Sequence, residues 1–197
     1  RDGEIAVATL ILAGVAVNAV VAAGLGALAY LSNDQELREL TFWTMGGLGA
    51  AGWPLALAAC FVALATAPVF FGHARALDLL QLGERAAFHA GLDVERTKLR
   101  LAIAVALAGG AVTAAAGPGG FIGLVAPHLA RLLLGPSHRV VLWGAALIGV
   151  ALVLGADLVV RMVAPPAELP IGLATSLIGG PFFLWLLMRD LGGARRA

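Results

Sequence analysis

Asp157 and Arg161 stand four residues apart inside an otherwise apolar run, with the acid on the N-terminal side. That order favours an ion pair along one face of a helix. In an apolar setting an ionisable pair is a candidate functional site, and two readings fit it: a proton-carrying site, or a local pair in which Asp157 holds Arg161 upright. His128 follows Pro127 in a short apolar run. It reads either as a proton relay or ligand, or as the polar end of a helix broken at Pro127. His73, His89 and His138 offer no metal-ligand spacing, so no metal site is expected. The longest polar stretch, residues 73–98, keeps Leu77, Leu80, Ala87 and Leu92 on an apolar side. Asp78 can cap the start of one short helix there, while Gly83 and Gly91 act as breaks or C-caps. A helix pair with alanines at its centre is a docking knob for another protein or an ordinary solvated connection. No GxxxxGK[ST] phosphate loop, GxSxG elbow or HExxH pair occurs, and the acidic residues are scattered among loops. No catalytic residue is therefore expected. The lone Cys60 lies in an apolar run and reads as a small core or lipid-facing residue.

The elements that must position these groups are dictated by composition. Of 197 residues 60% are hydrophobic and 13% charged, with a mean hydropathy of +0.94. A soluble domain carries about a quarter charged residues, so the chain reads as a polytopic, all-α transmembrane bundle, one domain over 1–197. Six apolar spans are expected, at 5–31, 53–71, 101–116, 121–134, 140–160 and 171–188. The third and fourth fall short of the ~20 residues that cross a bilayer, so one of them is a candidate half-helix. Alternation of six spans puts all thirteen basic residues except Arg38 and Arg161 on one side. The positive-inside bias makes that side cytoplasmic, with the loop 72–98 and the C-terminus. Between the first two spans, Ser32-Asn33-Asp34 supplies N-cap chemistry and Leu37, Leu40 and Trp43 recur at helical spacing. A short amphipathic outer helix is expected, with Trp43 and Trp53 at the interface. Gly117-Pro-Gly-Gly120 reads as a tight outer turn. Asn18 is a lone polar residue of the first span, and either lines a path or bonds a neighbouring helix. Asn18, Trp43 and Met45 are the candidate path residues. Thr113, Thr175 and Ser176 are expected to bond backbone. No basic-aromatic patch supports nucleic-acid binding. Arg1 opens the chain without a Met and an apolar span follows almost at once, which points to a preceding portion.

Several runs together are specific. Glu84-Arg-Ala86-Ala87 followed by Gly91 resembles the EAA-type loop of ABC importer permeases. Ala116-Gly-Pro-Gly-Gly-Phe-Ile-Gly-Leu-Val-Ala-Pro127-His128-Leu-Ala-Arg131 is similar to the best-marked run of the FecCD family, the permeases for iron-siderophores, haem and vitamin B12. So are Gly135-Pro-Ser-His-Arg139, Ala156-Asp157 with Arg161, Glu168-Leu-Pro-Ile-Gly172 and Gly179-Gly-Pro-Phe-Phe183. The resemblance implies about the last six of roughly ten spans of a permease. It also implies a homodimer working with two cytoplasmic ATPase subunits that carry ATP and magnesium, and with a periplasmic binding protein. No covalent cofactor is implied. Leu82, Gly83, Glu84, Ala86, Ala87, Gly91 and Leu92 would form the ATPase-coupling surface, with Glu84 reaching an ATPase basic group. Arg161 matches an arginine that meets a glutamate of the binding protein. Leu40-Thr-Phe-Trp-Thr-Met-Gly46 and the Gly135–Arg139 turn look most like haem permeases, which makes haem the expected transported substrate. Siderophore or vitamin B12 is the alternative within the family. A proton-coupled secondary transporter using Asp157 and Arg161 is the alternative of another class.

Overall fold

Helix is the only regular structure among the described residues of the computed structural model, which are 7–49, 52–119, 121–163, 170, 172–173, 175–177, 179–181 and 188. A chain this apolar must satisfy its backbone within each segment, and the helix does so. The chain divides into two compact units, Arg1–Phe42 and Trp43–Ala197.

In the first unit, α1 (Val7–Leu31) is apolar and exposed along nearly its whole length, Asn18 included. The Ser32 hydroxyl donates to the Leu28 carbonyl at 2.7 Å and closes its last turn. Next, α2 (Asp34–Met45) opens with a reciprocal cap: Glu36 N–H donates to Asn33 Oδ1 at 2.9 Å, and Asn33 N–H to Glu36 Oε2 at 3.0 Å. Two of the orphan donors at the helix start are thereby satisfied. The expected cap lies within Ser32-Asn33-Asp34, and Asn33 is the residue that makes it.

The second unit holds α3 (Trp53–Gly72), α4 (Ala74–Gln81), α5 (Glu84–His89), α6 (Val94–Ala116), α7 (Ile122–Leu134) and α8 (His138–Val163). Among the described residues four helices, α1, α3, α6 and α8, are long and apolar enough to cross a membrane. Half of the last expected span, 171–188, lies outside the described residues; its described members are helical, and Thr175 Oγ1 donates to the Gly172 carbonyl as expected. α3 packs on α6, and α7 packs on α8. The second contact is made by small residues: Ala126 and Ala130 of α7 are buried, and a side chain on Gly144 of α8 would run into Leu134 and Ala130. Small residues let backbones approach closely where no hydrophobic force separates helix from lipid. Phe71 of α3 stacks on Trp143 of α8 with centroids 4.5 Å apart.

Two expectations change. The third span is not 101–116 but α6, 23 residues long, because Asp93 caps it at Arg96 N–H and the charged turns 94–100 continue the helix beyond its apolar part. Pro127 does not break the fourth: α7 runs through it. Pro127 lies only in the second turn, where the carbonyl it crowds belongs to Gly123 and few bonds precede it. With 13 residues, α7 is about 20 Å long, short of a bilayer's hydrocarbon core, and is the expected short element.

Away from α4 and α5, three backbone segments meet almost without side chains. Gly47 N–H donates to the Ala116 carbonyl at 2.8 Å and Gly172 N–H to the Gly46 carbonyl at 3.2 Å. Gly117 has φ 72° and ψ −176°, a region open essentially to glycine alone, and a Cβ there would strike the Trp43 carbonyl. A Cβ on Gly172 would strike the Met45 carbonyl. The expected turn after Ala116 is thus also a three-way junction.

Candidate functional site

α4 and α5 form a short helical pair joined by Leu82 and Gly83. α4 ends as Leu82 N–H donates to the Leu79 carbonyl and Gly83 N–H to that of Leu80. Gly83 then takes φ 101° and ψ 151°, again glycine-only backbone, and starts α5 as its carbonyl accepts from Ala87 N–H. α5 closes when Gly91, at φ 87°, donates to the Phe88 carbonyl and Leu92 donates to that of Ala87.

The expected coupling residues separate by role. Ala87 is fully buried and Ala74 and Ala76 of α4 are buried, so these small side chains seat the pair on its own bundle. Leu82, Gly83, Glu84, Ala86 and Gly91 are exposed and Leu92 is half-buried. The two alanines of the loop therefore do not share one approach surface. Leu82 and Phe88 present large apolar side chains outward, 73% and 68% exposed. Phe88 was not among the expected coupling residues, though an aromatic beside a short charged helix was the available signal.

Two long-range ties hold the pair. Glu84 Oε1 pairs with Lys98 Nζ of α6 at 2.5 Å, so this carboxylate already has a partner within the chain. The pair forms a strut between α5 and α6, and the Glu84 side chain, 52% exposed, still faces outward, where the expected basic group of another protein would meet it. The second tie corrects the reading of Asp78. It does not cap a neighbouring short helix: its Oδ1 accepts from the backbone N–H of His138 and from His138 Nδ1, both at 2.8 Å. His138 is the first residue of α8, sixty positions along the chain. With the ring proton on Nδ1, His138 Nε2 can accept from Gln81 Nε2 at 3.3 Å. The His138 side chain is nearly covered, 12% exposed. Beside it, Leu77, Leu80, Gln81, Arg131, Pro136 and His138 line an open groove of about 680 Å³.

The carboxyl of Asp78 is held below its ordinary value of 3.8, first by the His138 backbone N–H and then by the His138 ring. Both bonds favour the charged form. The native pKa lies below the unfolded one, so this stabilisation is complete above the unfolded value and is lost as pH falls through the native one. Hydrogen-exchange protection of the first-turn amides of α8 is expected to hold from neutral pH to about pH 5, and to fall only below the ordinary carboxylate range.

Arg161 Nε donates to Asp157 Oδ2 at 2.7 Å within α8, with Arg161 66% exposed and Asp157 20%. The local pair is real, and the guanidinium still presents most of its surface. Trp43 and Met45 end α2 at the glycine junction, Trp43 half-buried and Met45 exposed. His128 is half-buried on α7. Among the described residues, no three His, Cys, Asp or Glu side chains are grouped to hold a metal.

The FecCD transport family matches residues 1–189 of the chain. The hemin transport system permease protein HmuU of Yersinia pestis is 48% identical over 190 residues, which cover 96% of this chain and 57% of that protein. The vitamin B12 import system permease protein BtuC of Vibrio cholerae is 39% identical over 193 residues, again 96% of this chain and 57% of the relative. A solved structure, described as an inward-facing conformation of a metal-chelate type ABC transporter, superposes with a TM-score of 0.82 at 31% identity, covering 93% of this chain and 60% of that one. The chain thus spans a little over half the length of the curated relatives it matches.

Proposed function

The chain belongs to the FecCD transport family, and from that premise we propose that it is part of the membrane-spanning permease of a binding-protein-dependent ABC importer in a bacterial inner membrane. The permease works as a homodimer with two cytoplasmic ATPase subunits and a periplasmic binding protein; it carries no catalytic residue, and ATP is hydrolysed on the partner. The observation that carries this reading is the α4–α5 pair, which stands at the basic end of the bundle with Leu82 and Phe88 turned outward and struts to α6 and α8 behind it. Such a pair can receive a push from a soluble partner and pass it to two long helices. The basic residues around it support a cytoplasmic orientation for this end, which we propose for the C-terminus as well.

Haem is the proposed substrate, supported by the greater identity to a hemin permease than to a vitamin B12 permease. Asn18, Trp43 and Met45 are proposed path residues. Arg161 is proposed to meet an acidic group of the binding protein. The proton-coupled alternative is disfavoured because Asp157 is already bonded to Arg161 at 2.7 Å, which leaves it a poor carrier.

The test is co-purification of the full permease with its ATPase, followed by ATP hydrolysis with candidate binding proteins in proteoliposomes. Stimulation by a haem-loaded binding protein is the expected result. Gly91→Val is expected to lose the ATPase from the complex, while Asp157→Asn keeps most ATP-driven uptake. Uptake driven by a proton gradient with no ATPase present would overturn the proposal.

A further inference from the structure

The start of α8 is capped from far away although a local cap is at hand. Ser137, a favoured capping residue, stands where the helix begins, and its carbonyl accepts from Val140 and Val141 N–H. Among the described residues no hydrogen bond of its hydroxyl closes the helix start. The free donor of His138 goes instead to Asp78 of α4, whose same oxygen also takes the His138 ring N–H. A carboxylate there also faces the positive end of the helix dipole. The connection behind it has little slack: α7 ends at Gly135, which has φ 96° and ψ 178°, and only Pro136 and Ser137 separate it from α8.

We propose that Asp78 is a positioning residue, a latch that fixes α4 to the first turn of α8 so that the two helices move as one body. The inference rests on the reading of α4 and α5 as the ATPase-docking pair and adds the route out of it. α8 is a single helix of 26 residues, about 39 Å long, and Arg161 lies at its far end. A displacement of α4 held by the latch arrives at the Arg161 end as a shift of the whole rod. The strut from Glu84 to Lys98 serves α6 in the same way, but it is half exposed and rests on one contact. The latch combines a backbone bond, a ring bond and a covered imidazole.

The test uses the full permease with both ATPase subunits in proteoliposomes and the variants Asp78→Ala and Asp78→Asn. The first readout is hydrogen exchange of the amides 138–142. The second is the factor by which a haem-loaded binding protein stimulates ATP hydrolysis. Asp78→Ala is expected to speed exchange of these amides about fivefold, the loss of one cap, and to lower the stimulation factor several-fold. Asp78→Asn, which keeps the acceptor oxygen without the charge, is expected to restore most of both. Unchanged exchange in Asp78→Ala overturns the latch. Faster exchange with wild-type stimulation overturns the positioning role and leaves a purely structural cap. Loss of the ATPase subunits from Asp78→Ala makes Asp78 a docking contact and overturns the proposal as well. A wild-type complex that binds no ATPase strikes the docking reading and the relay with it, while the exchange arm still decides whether the latch exists.

Discussion

Replacing Gly117 by alanine is expected to destabilise the folded bundle severely. Two costs add at this position. The backbone at φ 72° and ψ −176° is strained for any L side chain by about 1–3 kcal/mol. The new methyl would also meet the Trp43 carbonyl, with Gly46 Cα only 3.0 Å away. Neither neighbour can retreat, because the Trp43 carbonyl accepts from Gly46 N–H and Gly47 N–H is bonded to Ala116, one residue before the substitution. Relief therefore means opening the junction. A total of about 4 kcal/mol or more, at the extreme of single-substitution effects, is expected. In thermal unfolding of the full permease this corresponds to a fall of about 10 °C or more. Gly119→Ala is the control: its Cβ would meet nothing within 4 Å, and it is expected to unfold like the parent. Equal stability of the two variants would show that the junction yields.

The second large effect is expected at Gly83, and it is of a different kind. Its backbone is as restricted as that of Gly117, at φ 101° and ψ 151°, yet a Cβ there meets open space. Gly83→Ala therefore carries strain without a clash. The turn is exposed, so it relaxes locally by re-aiming α5 against α4, and bundle stability stays near that of the parent. The docking surface does not survive this, because Leu82 and Phe88 lie on opposite sides of the altered turn. A strain of about 1–3 kcal/mol appears as roughly 5- to 150-fold weaker association with the ATPase subunits. Asparagine is expected to give no rescue. It tolerates the left-handed helical region, and a ψ of 151° lies outside that region. Titration of the purified ATPase against parent and variant permease measures the effect, and parental affinity in Gly83→Ala would remove the α4–α5 turn from the docking surface.

The spans were legible because composition and length alone decide what can cross a bilayer. The helical pair at 74–89 was legible because its glycines and its alternation of charge and Leu are local signals. α6 was read seven residues too short: Glu95, Arg96, Lys98 and Arg100 are excluded from a hydropathy window, yet nothing in them stops a helix that Asp93 has already capped. Pro127 was over-read, since proline breaks a helix only where a full turn of bonds precedes it. The ties from Asp78 to His138 and from Glu84 to Lys98 were not legible at all. Each joins residues that only the packed bundle brings together, and a carboxylate with a plausible local task gives no hint of a distant one. The glycine-only angles at 83, 117 and 135 were foreshadowed by the residue type, but the Trp43 carbonyl that crowds Gly117 was not, because it belongs to another segment.

The stack of Phe71 on Trp143 lies one and a half turns along α8 from the Asp78 latch, on the helix that leads into α4. Any slide of α8 past α3 must separate these rings, and an indole that loses a ring neighbour and meets a different solvent changes its emission. Of the four tryptophans here, exchange of Trp43, Trp53 and Trp185 for phenylalanine would leave Trp143 as the sole emitter of this segment, with retained uptake as the check on Trp43, a proposed path residue. The bundle therefore contains its own optical gauge, with no dye to attach, and its colour and lifetime through an ATP cycle would clock when the rod moves.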